Sequence, residues 1–414
     1  MRISTNQQFE QSVRAMLEQQ SRLIRTQAQI SSGQRIELPS DDPAGAGRIL
    51  ELRDEIAGLE QFRRNGDAAE ARLGLAETAL DSAIDILQRV RELALAANNG
   101  TLAAADRRGI AEEVRARIGD LVGIANTREA GGDYLFSGYR TDTTPFVRTA
   151  AGNVAYAGDQ GRRELPVGSH QRVALVDSGA EVFGAIANGN GSFALAQGAN
   201  MGTGVVEPGT VTDPAQWRAG ADVYTLSFVT NAAGALAYQV TGANTGQVIP
   251  ALPAVAPAAA PDYVPGAAID FSGIRLVVDG TPAVGDSFVV QPSTAQDVFT
   301  TLERLAAAMG APAVTPAAQA AFANDVSRGL SELDQALDHL VTKQADLGAR
   351  RNLLDSQRQL NEDLLLRSRK LLADTADLDF AEAITRFHRE QAALSAAQQA
   401  YIRVQGLSLF DYLK

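Results

Sequence analysis

Cysteine is absent from this chain of 414 residues. Disulfides, thiolate metal sites and cysteine nucleophiles are therefore all excluded. Lysine occurs only at Lys343, Lys370 and Lys414, so arginine carries almost all of the positive charge. The formal net charge of -12 argues against nucleic acid or an anionic membrane surface as a partner, because phosphate contacts need clustered cations. No stretch approaches about 18 apolar residues without a charge, so no membrane span is expected. Met1 to Gln20 lack the cationic start and apolar run of a secretory signal peptide. If the chain leaves the cell, another route must read its polar, Ser/Thr/Asn/Gln-rich beginning.

Signatures of chemistry are equally scarce. The three histidines, His170, His339 and His388, are far apart, and no His-Glu-x-x-His helix occurs. Gly-x-Ser-x-Gly, Ser-x-x-Lys and P-loop motifs are missing, which removes the commonest hydrolase and nucleotide signatures. The neighbouring carboxylates Asp41 and Asp42 precede Pro43, the arrangement of a helix cap and not of an acid-base pair. Asp159, Asp270, Asp279 and Asp286 stand by glycines at turns without calcium-loop spacing. The reading is of a chain that is not an enzyme and holds no cofactor or metal.

What the sequence does contain is a pair of amphipathic ends. Phe9, Met16, Leu23 and Ile30 fall seven apart, with Val13 between them, and Phe380, Phe387, Leu394 and Tyr401 repeat the pattern, with Ile384 alongside. Two separated halves of one coiled coil are the simplest reading. Gln20, Gln27, Gln391 and Gln398 fall at seam positions, where buried amides would fix register at a cost in stability; a weakly amphipathic, solvent-facing helix is the alternative. A seam this short cannot offset the ordering of both ends, so they are expected to fray in a free monomer and to become ordered when neighbouring copies cover further faces.

Residues 1 to about 130 and about 295 to 414 are rich in Ala, Leu, Arg, Glu and Gln, all good helix formers. Gly33 stops the first helix, and Asp42 caps a second that starts at Pro43 and runs toward Asn98, about 80 Å at 1.5 Å per residue. A further helix of about 28 residues is expected to end at Gly131-Gly132. Leu333, Leu340, Leu347 and Leu354 form a heptad row, which Leu364, Leu371 and Leu378 continue after a phase shift; Asp374 to Asp379 mark the matching break. Between about 146 and 292 lie most of the prolines and short β-branched or aromatic runs: Val223 to Thr230, Ala235 to Thr241, Gly273 to Val278 and Ser287 to Gln291. Tyr134 and Phe136 alternate as a strand would and, with Tyr139, are expected to pack the base of that region. The predicted fold is mixed and mainly α: an elongated coiled-coil rod made by both termini, with an inserted antiparallel β domain. Its parts are 1–32 with 380–414, 33–145 with 293–379, and 146–292.

Ile30-Ser31-Ser32-Gly33-Gln34-Arg35-Ile36, followed by Ser40-Asp41-Asp42-Pro43-Ala44-Gly45, resembles the N-terminal signature shared by bacterial flagellins and their junction relatives. The stretch Tyr134-Leu135-Phe136-Ser137-Gly138-Tyr139-Arg140-Thr141-Asp142-Thr143-Thr144-Pro145-Phe146 is similar to one that marks the hook-associated protein 3 branch of that family. The ending Gly406-Leu407-Ser408-Leu409-Phe410-Asp411-Tyr412-Leu413 also looks like that branch and departs from the usual flagellin ending. The resemblance covers roughly residues 1 to 165 and 295 to 414.

It implies a structural protein of the bacterial flagellum, secreted unfolded by type III export, forming a ring at the hook-filament junction and templating the filament. Its implied partners are copies of itself, a neighbouring hook-associated junction protein, flagellin and an export chaperone. The terminal coiled coil would line the inner tube, and its assembly interface would be Phe9, Val13, Met16, Leu23, Ile30, Phe380, Ile384, Phe387, Leu394 and Tyr401. Two alternatives stay open at this point: a divergent flagellin forming the filament body, and a flagellar rod displaying a ligand-binding β module.

Overall fold

The computed structural model describes residues 5–99, 102–150, 152–220 and 222–406. The fold is mainly α, with helices at both ends of the chain and antiparallel sheets between them. Three helices open the chain: α1 (Thr5–Ser32), α2 (Pro43–Ala97) and α3 (Ala104–Ala125). After the strands come α5 (Val298–Gly310), α6 (Pro316–Ala376) and α7 (Phe380–Gly406); α4 (Pro214–Ala219) is a single short turn among the strands. By packing, the chain forms two compact units. One comprises residues 1–66, 167–170 and 355–414, and the other 67–166 and 171–354.

In the first unit the helix ends follow their local signals. Gly33 adopts φ +71°, a left-handed conformation that suits a residue without Cβ, and closes α1. Asp42 Oδ1 accepts the Gly45 amide at 2.9 Å and caps α2, with Pro43 at the first helical position. Asp379 Oδ1 accepts the amides of Ala381 and Glu382 at 2.9 and 3.2 Å and caps α7. The seam of α6 departs from expectation. Leu333, Leu340, Leu347 and Leu354 are buried, but the same heptad then continues without a phase shift through Asn361 and Ser368, only 6% and 3% exposed. Leu371 faces outward instead. A polar residue fits at 361 because Asn361 Nδ2 donates to the Val167 carbonyl at 2.8 Å, so its burial leaves a satisfied donor.

In the second unit, small strands flank a larger β body. Strands β1 (Phe146–Arg148) and β2 (Val154–Tyr156) form one hairpin, and β3 (Glu164–Pro166) and β4 (Arg172–Ala174) another. Strand β5 (Ile186–Ala187) pairs with β15 (Ala295–Gln296). The main sheet takes β6 (Phe193–Gln197), β9 (Tyr224–Thr230), β10 (Leu236–Gly242), β11 (Gly246–Ile249) and β14 (Ser287–Pro292) in the order β11-β10-β9-β14-β6. A second sheet joins β12 (Ala268–Phe271), β13 (Ile274–Asp279), β7 (Val205–Val206) and β8 (Thr210–Val211), the last two both paired to β13. Alternate residues of β9, β13 and β14 point into one shared core: Tyr224, Leu226 and Phe228, then Ile274, Leu276 and Val278, then Phe288 and Val290. That is the period-2 pattern of strands with one buried face.

Two differences from the sequence reading arise beside this core. The helix expected to reach Gly131-Gly132 ends at Ala125, because the Asn126 side chain takes up a strand instead. Its amide donates to the Phe146 carbonyl at 2.8 Å, and its oxygen accepts the Phe146 amide at 2.9 Å. The stretch with Tyr134 and Phe136 is a series of turns with a single bridge, Arg128 to Tyr134. Tyr134, Leu135 and Phe136 are all buried while Tyr139 is exposed, so there is no strand-like alternation. Phe136 packs edge-on to Phe183 at 5.3 Å, and Phe183 stands edge-on to Phe146 at 5.6 Å.

A buried carboxylate ties the segment after β4 to α6. Asp177, 5% exposed, meets Arg350 at 2.8 Å, Arg162 at 3.1 Å and Lys343 at 3.2 Å. Burial opposes its charge, yet the Arg350 hydrogen bond and the charges of Arg350, Lys343 and Arg162 hold its carboxyl below the usual carboxylate range. One of the three lysines of the chain therefore has a structural task. Asn324 of α6 does similar work beside the sheets, accepting the Val206 amide at 2.8 Å and donating to Gln197 Oε1 and the Gly204 carbonyl.

Candidate assembly surface at the paired terminal helices

Helices α1 and α7 pack along each other, joining residues more than 350 positions apart in sequence. Val13, Met16, Leu23 and Ile30 are half-buried on α1, as are Phe387, Leu394 and Tyr401 on α7. With Ala383, Glu390 and Ala397, the α7 set recurs at alternating steps of four and three from 383 to 401, which is heptad packing. Phe380 and Ile384 lie off this face, 51% and 45% exposed. The side chain of Phe9 lies outside the described residues, as do residues 407–413 of the C-terminal motif.

The four glutamines expected in the seam, Gln20, Gln27, Gln391 and Gln398, are all exposed. Polar specificity comes from a different place. Thr26, the one buried side chain of α1 among the described residues, donates its hydroxyl to Glu390 Oε2 at 2.8 Å, and Gln19 donates to the Glu390 carbonyl at 3.3 Å. Arg386 donates to Gln29 Oε1 at 3.2 Å. These contacts fix register between α1 and α7, because a shift of one turn leaves the Glu390 carboxylate and the Thr26 hydroxyl without each other. Sequence reasoning missed them since Thr and Glu are scored as surface residues. The exchange of the glutamines for Thr26 and Glu390 is a phase error of about one residue.

The inner stripe leaves other apolar side chains facing water. Leu17 and Ile24 stand seven apart on α1, and Ile402 joins Phe380 and Ile384 on α7. Their ionic neighbours are i,i+4 pairs such as Arg14 with Glu10, Arg22 with Glu18 and Arg386 with Glu382, all solvated and worth little to stability. Among the described residues, no group of three or more His, Asp or Glu side chains converges in a way that could hold a metal ion. No helix of the described residues is long and apolar enough to cross a membrane. What the terminal pair offers is a helical apolar surface whose inner stripe is partly used and whose outer stripe is uncovered.

Helices from both chain ends paired around an antiparallel insertion define a flagellin-type structural chain. Residues 3–141 match the model of the bacterial flagellin N-terminal helical region. B-type flagellin of Pseudomonas aeruginosa is 37% identical, but over only 26% of this chain and 22% of its own length. By contrast, flagellar hook-associated protein 3 of Escherichia coli is 23% identical over the whole of both chains. The crystal structure of flagellar hook-associated protein 3 from Legionella pneumophila superposes with a TM-score of 0.76 at 36% identity, over 79% of this chain and 98% of that one. The chain belongs to the flagellar hook-associated protein 3 family.

Proposed function

We propose that this chain forms the junction ring between hook and filament of a bacterial flagellum and templates the first turn of flagellin for motility. The observation that carries the reading is the end-to-end match with hook-associated protein 3, set against a B-type flagellin match that covers only 26% of the chain. Its work is mechanical, with no turnover. In this reading 1–32 with 380–414 form the innermost layer, 33–145 with 293–379 the next, and 146–292 the outermost. The partners are further copies of the chain, a hook-side junction protein, flagellin and an export chaperone, and the chain reaches the flagellum by type III export. The proposed assembly interface is Phe9, Val13, Met16, Leu23, Ile30, Phe380, Ile384, Phe387, Leu394 and Tyr401. The half-buried members act by setting the shape of the helix pair, and Phe380 and Ile384 by direct contact.

Electron microscopy of a deletion strain tests the reading: hooks should be present and filaments absent, with flagellin lost to the medium. Leu394→Asp, which puts a charge into the seam, should reproduce that loss while leaving the β body folded by circular dichroism. Normal filaments on either strain, or copy numbers per flagellum as high as those of a filament subunit, would count against a junction role.

A further inference from the structure

The family-like motif Gly33-Gln34-Arg35-Ile36 has a structural partner at the other chain end. Between α1 and α2, and between α6 and α7, the two connectors form a short antiparallel ladder. The Arg35 amide donates to the Ala376 carbonyl at 2.7 Å, the Leu378 amide donates to the Gly33 carbonyl at 3.0 Å, and Gln34 stands opposite Asp377. The Arg35 side chain reaches the same strand: its Nε and Nη2 both donate to the Thr375 carbonyl, at 3.2 and 2.9 Å. That carbonyl is in the last turn of α6, where no helical amide follows to donate to it, so a guanidinium there satisfies an orphan acceptor and favours the negative end of the helix dipole.

The same few residues are held from every side. Arg35 Nη2 lies 3.7 Å from Asp42, the cap of α2, and Arg25 of α1 lies 3.8 Å from Asp41. Gln29 of α1 donates to the Arg35 carbonyl at 2.7 Å. Below the ladder Ile36 is buried with Ile49 and Ala376, and Ala46 and Leu372 pack against them. A Cβ on Gly45 would sit 2.5 Å from Ile36 Cδ1 and 2.5 Å from Asp42 Oδ2, so a larger residue there would displace the buried Ile36 side chain and the capping Asp42. Phe380 Cζ closes over Gly33, 3.6 Å from where its Cβ would be.

We propose that Gly33–Ile36 and Thr375–Leu378 form one clasp that joins the two chain breaks into a single joint, so that α1 and α7 reorient as one lever, with Arg35 as the positioning residue that keeps the clasp shut. Two independent flexible connectors would let α1 and α7 slide or tilt separately. A paired joint transmits one change of angle to both and preserves their register. This deepens the junction reading, since a subunit between two different lattices must change angle without unravelling.

Two experiments on the full chain separate the clasp from the junction role. Amide exchange tests the clasp alone: Arg35→Ala should speed exchange at positions 35 and 378 together, by about tenfold, and Arg35→Lys, which keeps the charge but offers one compact donor group, should restore part of the protection. Protection lost at one position and kept at the other, or no protection at either in the unmodified chain, overturns the proposal. The second experiment uses the absence of native cysteine. Gln34 and Asp377 form a narrow antiparallel pair, about 4.5 Å between Cα atoms, so Gln34→Cys with Asp377→Cys can be oxidised to a cross-link. If the joint works while closed, oxidised and reduced protein should support filaments equally. Filaments only in the reduced state overturn the closed joint, whereas bare hooks in both states with exchange protection intact count against the junction role and leave the clasp standing.

Discussion

In the β body the side chains of Tyr224, Leu226, Phe228 and Phe288 are each fully enclosed, whereas in α1 and α7 Thr26 and Ala383 are the only buried side chains among the described residues. The β body covers its inward faces with two sheets of the same chain, and the aromatic residues lock edge to face, Phe228 with Tyr263 at 5.1 Å and with Phe288 at 6.3 Å. The helix pair has one partner per helix, so each helix covers about one stripe and leaves the rest to water. Burial that one region completes alone is left half-done in the other. Such a division suits the proposed assembly, in which the β body folds by itself and the chain ends are finished by neighbours.

The sharpest way to break this comparison is to cut a large side chain from each region. Phe228→Ala removes a fully enclosed ring from the shared sheet core and should cost about 3–5 kcal/mol, read as a lowered midpoint in urea or thermal unfolding. A loss below about 1 kcal/mol would mean that the sandwich relaxes around the cavity and is not the self-sufficient part of the molecule.

Acid should weaken the β body for a reason that can be assigned to two carboxylates. Burial opposes the charge on Asp222, but the amides of Thr245, Asn244 and Val223 and the Thr245 hydroxyl, at 2.8 to 3.0 Å, draw its pKa down to about 2. Asp177 is lowered by Arg350, Lys343 and Arg162 despite its burial. An unfolded aspartate titrates near about 3.9. Both folded values lie below that, so the contribution is complete above about pH 4 and is lost as pH falls toward about 2. The urea midpoint should drop steeply across that window, and Asp222→Asn should flatten the slope there while lowering the midpoint at neutral pH. An unchanged slope would remove Asp222 from the account.

Much of this architecture was legible in the residues, because periodicity reports which face is covered. The runs Val223 to Thr230 and Ser287 to Gln291 lie within one residue of β9 and β14, since β-branched and aromatic residues alternate there between glycine-bearing turns. The α2 start was readable from Asp42 and Pro43, a cap and a first-turn proline. The α6 seam beyond Leu354 was not, since the buried Asn361 is satisfied by a carbonyl at Val167, almost two hundred residues away, that no local pattern reports. The break between α5 and α6 was also missed, although Pro312 and Pro316 after Gly310 carried its signal. At the terminal pair the apolar stripe was visible as heptads, but the partner of each polar residue was not. Gln20 and Gln27 fit the seven-residue count, and only the packing of α7 reveals that Thr26 faces Glu390 instead.

The smallest effect sharpens the comparison most. Leu394 is half-buried against α1, so Leu394→Ala removes only part of a leucine's contact and should cost about 1 kcal/mol or less, confined to the helix pair. The urea midpoint of the β body should stay where it is, because its hydrophobic core is made without any residue of α7. Amide exchange along α1 and α7 should quicken at the same time, since a pair with so little enclosed surface has no reserve against the loss. Should Leu394→Ala lower the global midpoint as far as Phe228→Ala does, the terminal helices would share the cooperative core of the molecule and could not be the part completed by assembly.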